Sequence, residues 1–236
     1  MTEPADLPVV TVHVWDVTSA RLPRTLWHIA LDRRRLPTGM TFGKLVGTGS
    51  GRTFTLRDAD PHRWGLVAVW RSQAALAAAE EGSRLLGGWR ERSVRTSRIV
   101  IRTLSSRGQW SGRAPFTPPP PAAPPWTGPV AAITRARLRW PAARRFWAAV
   151  PAVTADLRGR TGLRFALGVG EAPIGLQGTF SVWQDAVALQ QFAYATPAHR
   201  EVIARTPIEK WYAEELFARF AVLEADPLFG VEREAG

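Results

Sequence analysis

The sequence of 236 residues contains no cysteine, and it has only two methionines, two tyrosines and four histidines. Without cysteine, disulfides, zinc–thiolate sites, iron–sulfur clusters and thiolate-bound haem are excluded. There is no run of about 18 apolar residues, so we expect no membrane-spanning helix. The N-terminal stretch Met1–Leu7 is acidic and lacks an apolar signal core, which does not indicate secretion and favours a cytoplasmic location.

Lysine is also scarce, although the net charge is +11. Of 31 basic residues only Lys44 and Lys210 are lysine, and the rest are arginines spread along the chain. The densest arginine clusters are Arg33–Arg35 and Arg135–Arg145. Together with many alanines, glycines and prolines, this bias is typical of a GC-rich genome, so we do not expect nucleic-acid binding. A basic face that meets anionic lipid, an acidic redox partner or the propionates of a haem is the alternative.

The two halves of the sequence repeat one pattern. In the first half Met40–Gly47 leads to Trp64–Trp70, and in the second half Leu163–Gly170 leads to Gln177–Trp183. Each final tryptophan precedes a run of small residues that predicts a helix. The repeat indicates two similar halves fused into a pseudo-dimer.

Hydrophobic periodicity predicts the order β-α-β-β-α-β in each half, which is the ferredoxin-like arrangement. The elements predicted in the first half are strand Val9–Val17, helix Leu22–Arg34, strands Met40–Gly47 and Trp64–Trp70, helix Gln73–Leu86 and strand Ser97–Leu104. Those predicted in the second half are strand Pro129–Leu138, helix Ala142–Arg158, strands Phe165–Gly170 and Gly178–Trp183, helices Ala186–Thr196, Pro197–Arg205 and Glu209–Ala213, and strand Glu215–Leu223.

We therefore expect an α+β protein in which tandem ferredoxin-like repeats form an intrachain dimeric α+β barrel. Residues 1–110 would form the N-terminal half, residues 111–129 a stiff Pro-rich linker, and residues 130–236 the C-terminal half. Apolar residues make up 45% of the chain, enough for a substantial core. The barrel interior is expected to be mainly apolar, with a pocket in each half.

His199 is the first candidate for a metal ligand. Thr196 can cap a helix that has Pro197 at its first position, which places His199 in the first helical turn. A neutral imidazole there can bind haem iron, and the alternative is an ordinary surface histidine. Arginines suit the haem propionates, and the candidates, each of which could equally be a solvated residue, are Arg164, Arg200, Arg205 and Arg219.

His13 shares a predicted strand face with Thr11 and Trp15. If that face lines the barrel, His13 is a candidate acid–base residue; if it faces helices, His13 is a packed core residue, which is the more frequent case. The glycine-rich loop Gly47–Gly51 joins two strands and fits neither the Walker nor the Rossmann pattern. Neither a Gly-x-Ser-x-Gly motif nor a His-x-x-x-His spacing is present.

Several segments together resemble the spheroidene monooxygenase family of carotenoid biosynthesis. They are Phe42–Gly51 with Phe54-Thr55, Trp64–Trp70, Gly162–Glu171, Gln177–Trp183, Phe192-Ala193-Tyr194 with His199, and the tail Trp211–Phe220. The resemblance covers almost the whole chain apart from the termini and the linker. It implies a haem-dependent oxygenase that introduces a keto group into an acyclic carotenoid, using dioxygen and a reductant. The fold it implies is similar to that of chlorite dismutases, dye-decolourising peroxidases and aldoxime dehydratases.

The resemblance implies that His199 is the axial ligand of a single haem b in the C-terminal half. The other residues predicted at the cofactor are Phe165, Phe180, Trp183, Phe192, Tyr194, Arg200 and Arg205, with His13 and Arg164 as catalytic candidates. An apolar small-molecule substrate and a ferredoxin-type electron donor are expected, and peripheral membrane contact and a homodimer are further expectations. The alternatives are a haem-dependent dehydratase or N–O/N–N bond-forming enzyme of the aldoxime dehydratase type, and a non-catalytic binder of haem or another small molecule.

Overall fold

A computed structural model describes residues 7–32, 36–49, 58–118, 125–138, 160–171, 176–195 and 212–231. Its strands are β1 (Val9–Asp16), β2 (Met40–Gly49), β3 (Ala59–Trp70), β4 (Arg95–Gly108), β5 (Val130–Leu138), β6 (Leu163–Gly170), β7 (Leu176–Trp183) and β8 (Tyr212–Ala225). The helices within these ranges are α1 (Leu22–Asp32), α2 (Gln73–Gly82), α3 (Arg84–Arg92) and α4 (Ala186–Ala195), with 3₁₀ turns at Ser19–Arg21 and Pro227–Phe229. None of these helices has both the length and the apolar character needed to cross a bilayer.

The eight strands close into an antiparallel barrel in the order β1-β3-β2-β6-β7-β5-β8-β4. Strands of the first half form one contiguous side, β4-β1-β3-β2, and strands of the second half form the other in the matching order β8-β5-β7-β6. At the seam between the halves, the described pairing of β2 with β6 joins Gly47–Gly49 to Gly168–Gly170.

Side-chain alternation divides each strand between the barrel interior and an outer face. On β1, Val10, Val12 and Val14 point inward, whereas His13 and Trp15 point outward. The interior is filled by apolar side chains from all eight strands and the flanking segments, the largest being Phe42, Trp110, Phe116, Phe180, Phe220 and Phe229. The predicted apolar interior is therefore present, and in the described chain it is a packed core.

Several predicted boundaries were wrong. β3 begins at Ala59 rather than at Trp64, and β4 continues to Gly108, because strand pairing extends over polar residues that show no apolar alternation. The single helix predicted after β3 is two helices, α2 and α3. The hydroxyl of Ser83 accepts a hydrogen bond from the Leu86 amide and caps the second helix. β8 begins at Tyr212, where the end of a short helix was predicted.

The helices predicted over residues 142–158 and 197–205 lie outside the described residues. Part of the predicted linker, by contrast, belongs to the core. Phe116 is buried, and its ring packs edge-on against that of Phe220 with centroids 5.0 Å apart. Trp110 is buried beside it. The chain that leaves β4 therefore folds back over one end of the barrel interior before the proline run begins.

Candidate functional site

The outer face of the N-terminal half is covered by α1, α2 and α3 and is packed with large side chains. Trp15 stacks on Trp89 of α3 at a centroid distance of 4.8 Å, and His13 stacks on Trp15 at 5.5 Å. His13 is only 5% exposed. Its burial, with the positive charges of Arg98 and Arg90, lowers the pKa of His13 to about 3. His13 thus packs under the helices as a neutral ring and does not face the barrel interior.

The two halves can be compared position by position, because each is anchored by the tryptophan that ends its third strand. Trp70 pairs with Val9 of β1, and Trp183 pairs with Val130 of β5. Counting from these pairs, residues of β1, β3 and β2 correspond to residues of β5, β7 and β6. The same cross-strand rows therefore exist on both outer faces.

Beyond the tryptophan row, the outer face of the C-terminal half carries mostly small side chains. Strand pairing arranges this face in three rows, which are Ala166, Ser181, Ala132 and Arg219, then Gly168, Thr179, Thr134 and Phe217, then Gly170, Gln177, Ala136 and Glu215. We use the term small-residue floor for Ala132, Thr134, Ala136, Ala166, Gly168, Thr179 and Ser181. With strands about 4.8 Å apart and same-face residues about 6.8 Å apart, three strands and three rows span roughly 10 by 14 Å.

The two halves have small residues alike in the row of Ala132, Ser181 and Ala166, whose counterparts are Thr11, Ala68 and Gly43, but they differ in the rows beyond it. The row of Gly168, Thr179 and Thr134 corresponds to Leu45, Leu66 and His13, and Ala136 corresponds to Trp15. His13 and both leucines are buried, whereas Thr134 is exposed and Thr179 half-exposed. Among the described residues, the middle row of the outer face therefore carries large side chains in the N-terminal half and small ones in the C-terminal half.

Aromatic and basic side chains border the floor. At its tryptophan end, Trp183 stacks on Phe192 of α4 at 5.1 Å, and its Nε1–H donates to Ser181 Oγ at 2.9 Å. On β8 the exposed Arg219 donates from Nε to Ser105 Oγ at 3.1 Å, and Phe217 carries the guanidinium of Arg107 4.8 Å from its ring centroid. The floor thus has an apolar margin at one end and cations along one side.

The structure brings together only some of the predicted site residues. Trp183 and Phe192 meet at the edge of the floor. Phe165 and Phe180 instead point into the barrel interior, where both rings contact Phe229. They lie on the face of the sheet opposite the floor. Arg164 is exposed and donates to the backbone carbonyl of Gly230 at 2.9 Å.

The other predicted residues belong to the end of α4 and to the segment that follows it. Tyr194 is in the last turn of this helix. His199, Arg200 and Arg205 lie outside the described residues. In the part of the chain that is described, no three histidine, aspartate or glutamate side chains are grouped in a way that could hold a metal ion.

The sequence reasoning missed a buried ionic cluster at the end of the barrel interior that Trp110 covers. Arg135 is 3% exposed; it donates from Nη2 to Glu171 Oε2 at 2.9 Å and from Nη1 to Glu214 Oε1. Glu171 also accepts from Trp110 Nε1 at 2.8 Å and pairs with Lys44 Nζ at 3.0 Å. One carboxylate therefore joins β2 of the first half, the segment after β4, and β5.

Electrostatics keep both carboxylates of this cluster ionised. Burial opposes the charge of Glu171, but hydrogen bonds from Lys44 and Trp110 and the charges of Lys44 and Arg135 lower its pKa. Burial likewise opposes the charge of Glu214, whose pKa is lowered by the amides of Gly112 and Ser111 and by Arg135. The sequence offers one signal for this cluster. Arg135 is a charged residue that comes two positions after Ile133 and therefore lies on the inward face of β5.

No protein-family profile matches the chain. The chain is 33% identical over 221 residues to the spheroidene monooxygenase of Rhodobacter capsulatus, covering 92% of this chain and 91% of that protein. It is 35% identical to the spheroidene monooxygenase of Rubrivivax gelatinosus over 80% of this chain and 71% of the relative. The identity is also 35% with that of Cereibacter sphaeroides, but there the chain spans little more than half of the relative's length, 56%.

Two solved structures of aldoxime dehydratases share the fold. One, a complex with butyraldoxime, superposes with a TM-score of 0.59 at 11% identity over 95% of this chain and 82% of the other. The second gives a TM-score of 0.56 at 10% identity over 94% of this chain and 83% of the other. Sequence identity is higher with the spheroidene monooxygenases than with these two structures, and the match to the Rhodobacter capsulatus protein covers almost the full length of both chains. The chain therefore belongs to the spheroidene monooxygenase family.

Proposed function

We propose that this protein is a haem-dependent monooxygenase that oxidises an apolar organic substrate, a carotenoid or another specialised metabolite, on the small-residue floor. The observation that carries the proposal is the contrast between the two outer faces. The N-terminal face carries the large side chains of Leu45, Leu66 and His13, whereas their counterparts Gly168, Thr179 and Thr134 are small. The face with the small side chains belongs to the half where the family resemblance implies a single haem.

The same comparison supports the proposed domain organisation, with tandem ferredoxin-like halves at residues 1–110 and 130–236 and a linker between them. Their strands follow one another in the same order around the barrel. Their registers also match from the anchoring pairs Val9–Trp70 and Val130–Trp183 onward. A duplication explains both agreements, because related copies keep the same strand pairing while their side chains diverge.

The floor fits a flat, largely apolar group. Its glycine, alanine and threonine side chains rise little above the sheet, over an area of roughly 10 by 14 Å. Haem needs this kind of surface, together with an axial ligand and cations for its propionates. Arg219 supplies a cation at the β8 margin, and we propose that Arg200 and Arg205 supply others. When bound, haem would supply the activation of dioxygen.

We propose His199 as the iron ligand. It follows Ala195, the last residue of α4, by four positions, so at no more than about 3.5 Å per residue it lies within about 14 Å of that helix end. Helix α4 itself packs beside the floor through Phe192 and Trp183. The segment after α4 is thus long enough for His199 to reach the floor, and no other histidine belongs to the second half of the sequence.

The residues of the floor would handle protons beside the bound cofactor. The hydroxyls of Thr134 and Thr179 belong to directly paired residues, and hydroxyls can both donate and accept hydrogen bonds. They can therefore hold a polar atom above the floor and pass a proton to it. Ala132 and Ala166 contribute only apolar surface, which excludes water from the site. His13 and Arg164, the candidates predicted from sequence, do not lie on the floor.

The first test is haem uptake by protein produced with an ample haem supply. We expect a Soret band, one haem per chain, and loss of both in His199→Ala. His62→Ala is the matched control, because it removes an imidazole from the surface of the N-terminal half, and it should bind haem normally. A His199→Ala protein with the full Soret band and one haem per chain would contradict the ligand assignment, and wild-type protein without haem would contradict the proposed function.

Activity separates the oxygenase from the dehydratase. We expect the haem-loaded protein to convert an acyclic carotenoid to a keto product when dioxygen and a ferredoxin-type reductant are present. Ferrous protein incubated with an aldoxime under anaerobic conditions should give no nitrile. A nitrile product without carotenoid oxidation would favour the dehydratase.

A further inference from the structure

Helix α1 presents an apolar stripe to solvent. Trp27 is 75% exposed, Leu26 51% and Leu31 43%, whereas Thr25 and Ile29 on the other side of the helix are buried against the sheet. At about 100° per residue, Pro23, Leu26, Trp27 and Leu31 fall within an arc of about 140°. A surface helix normally turns polar residues to this side, so the stripe indicates a missing partner.

The margin of the stripe is basic. Arg24 is exposed beside it, and Arg21, at the preceding turn, is exposed and uses one guanidinium nitrogen on the carbonyl of Glu91. Asp32 is the only acidic residue of the helix, and it is paired with Arg92 at 2.9 Å. The net charge around the stripe is therefore positive. In the sequence three more arginines follow Asp32 directly.

We propose that this surface of α1, formed by Pro23, Leu26, Trp27 and Leu31 with Arg21 and Arg24 at its margin, docks on an anionic lipid bilayer. Tryptophan and leucine on one helix face beside arginines are typical of helices that lie in the membrane interface. The arginines add electrostatic attraction to the anionic headgroups.

A second copy of the chain fits this stripe less well. The helix has 11 residues; at 1.5 Å per residue and a width of about 10 Å, its exposed face offers roughly 160 Å². A stable protein interface buries about 800 Å² on each partner. Two chains of net charge +11 also repel each other. A bilayer needs no shape complementarity, and its anionic headgroups compensate the positive charge of the chain.

The docking proposal goes beyond the proposed function and does not depend on haem. Docking would hold the chain at a bilayer, where long apolar substrates concentrate because they partition into lipid. Its test therefore uses vesicle binding, which can be measured in protein with or without a bound cofactor.

The experiment is co-flotation of the full chain with vesicles of phosphatidylcholine alone or mixed with phosphatidylserine. We expect binding to the mixed vesicles at low salt, and an affinity lowered at least tenfold in Trp27→Gln/Leu31→Gln. Val94→Gln/Val187→Gln is the matched control, because it removes two equally exposed apolar side chains elsewhere on the surface. It should bind like wild type. Arg24→Gln should weaken binding to mixed vesicles and reduce its salt dependence.

Three results would overturn the proposal. The first is wild-type protein that stays unbound to mixed vesicles at low salt, and the second is a Trp27→Gln/Leu31→Gln variant that binds like wild type. The third comes from light scattering. A wild-type dimer that becomes monomeric in that variant, without any vesicle binding, would assign the stripe to a protein interface.

Discussion

Thr134 is the fifth residue of β5, the position that His13 holds in β1. The neighbours differ in the same way, since His13 pairs across the sheet with Leu66 and Thr134 pairs with Thr179. His13 is buried beneath helices, whereas Thr134 is exposed. The halves of the barrel thus share their backbone pairing and differ in the size of the side chains at these positions, and this difference can be reversed by mutation.

Filling the floor should abolish cofactor binding without unfolding the protein. Thr179→Leu introduces the residue that the N-terminal half has at Leu66, and its side chain would rise into the space above the sheet. We expect at least a tenfold loss of haem affinity, measured by titration of the Soret band, with an unchanged circular dichroism spectrum. The control Thr96→Leu makes the same change at an exposed strand position of the other half and should bind haem normally. Normal haem affinity in Thr179→Leu would place the cofactor elsewhere.

Removing the floor hydroxyls should separate binding from turnover. Thr134→Val and Thr179→Val keep the β-branched shape that suits a strand and delete only the hydroxyl. We expect haem stoichiometry to stay at the wild-type value and product formation to fall by about 10²-fold, as is typical when a proton-transfer group is lost. Steady-state rates with the substrate measure this. Unchanged rates in the double variant would mean that these hydroxyls take no part in the reaction.

The sequence was informative where a local pattern of side chains indicates its environment. Alternating valines predicted β1, and the repeat around Trp70 and Trp183 predicted the strands that follow one another in matching order in the two halves. The break between α2 and α3 was missed, because a single serine decides it by capping the second helix at Ser83.

The floor could not be predicted from the sequence, because glycines, alanines and threonines carry no chemical signal until the register of three strands places them side by side. The cluster around Arg135 was missed for a similar reason. Its two carboxylates, Glu171 and Glu214, are far apart in sequence and meet only because β8 and the end of β6 flank the same end of the barrel.

His13 should make stability depend on pH. Its pKa, lowered to about 3 by burial and by Arg98 and Arg90, is below that of an unfolded histidine. The unfolded chain therefore binds a proton below about pH 6.5 that the folded chain does not, and stability falls as pH drops, by about 1 kcal/mol per pH unit. In His13→Phe, which keeps a ring against Trp15, the free energy of unfolding in urea should no longer fall in this way between pH 6.5 and 5. His62→Phe should keep the pH dependence of the wild type. The same pH dependence in His13→Phe as in the wild type would contradict the prediction.

Arg135 should be far more important for stability than its partner Lys44. Arg135→Met leaves Glu171 and Glu214 without their buried cation, and breaking such a pair typically costs about 3–5 kcal/mol. Lys44 is 25% exposed in its pair with Glu171, so Lys44→Met should cost less than about 1 kcal/mol. Urea unfolding at pH 7 measures both changes, and similar costs would contradict the assignment.

The pH dependence of Arg135→Met provides an independent check. In the wild type the pKa values of Glu171 and Glu214 are lowered, so the stability that these carboxylates contribute is present above their ordinary range and is lost as pH falls through their folded values. Without Arg135 each carboxylate loses one attraction while burial still opposes its charge, so both pKa values rise from their wild-type positions and the carboxyls become neutral at higher pH than in the wild type. The stability gap between wild type and Arg135→Met should therefore narrow between pH 7 and 5. A constant gap would mean that the loss comes from packing around Trp110 rather than from uncompensated charge.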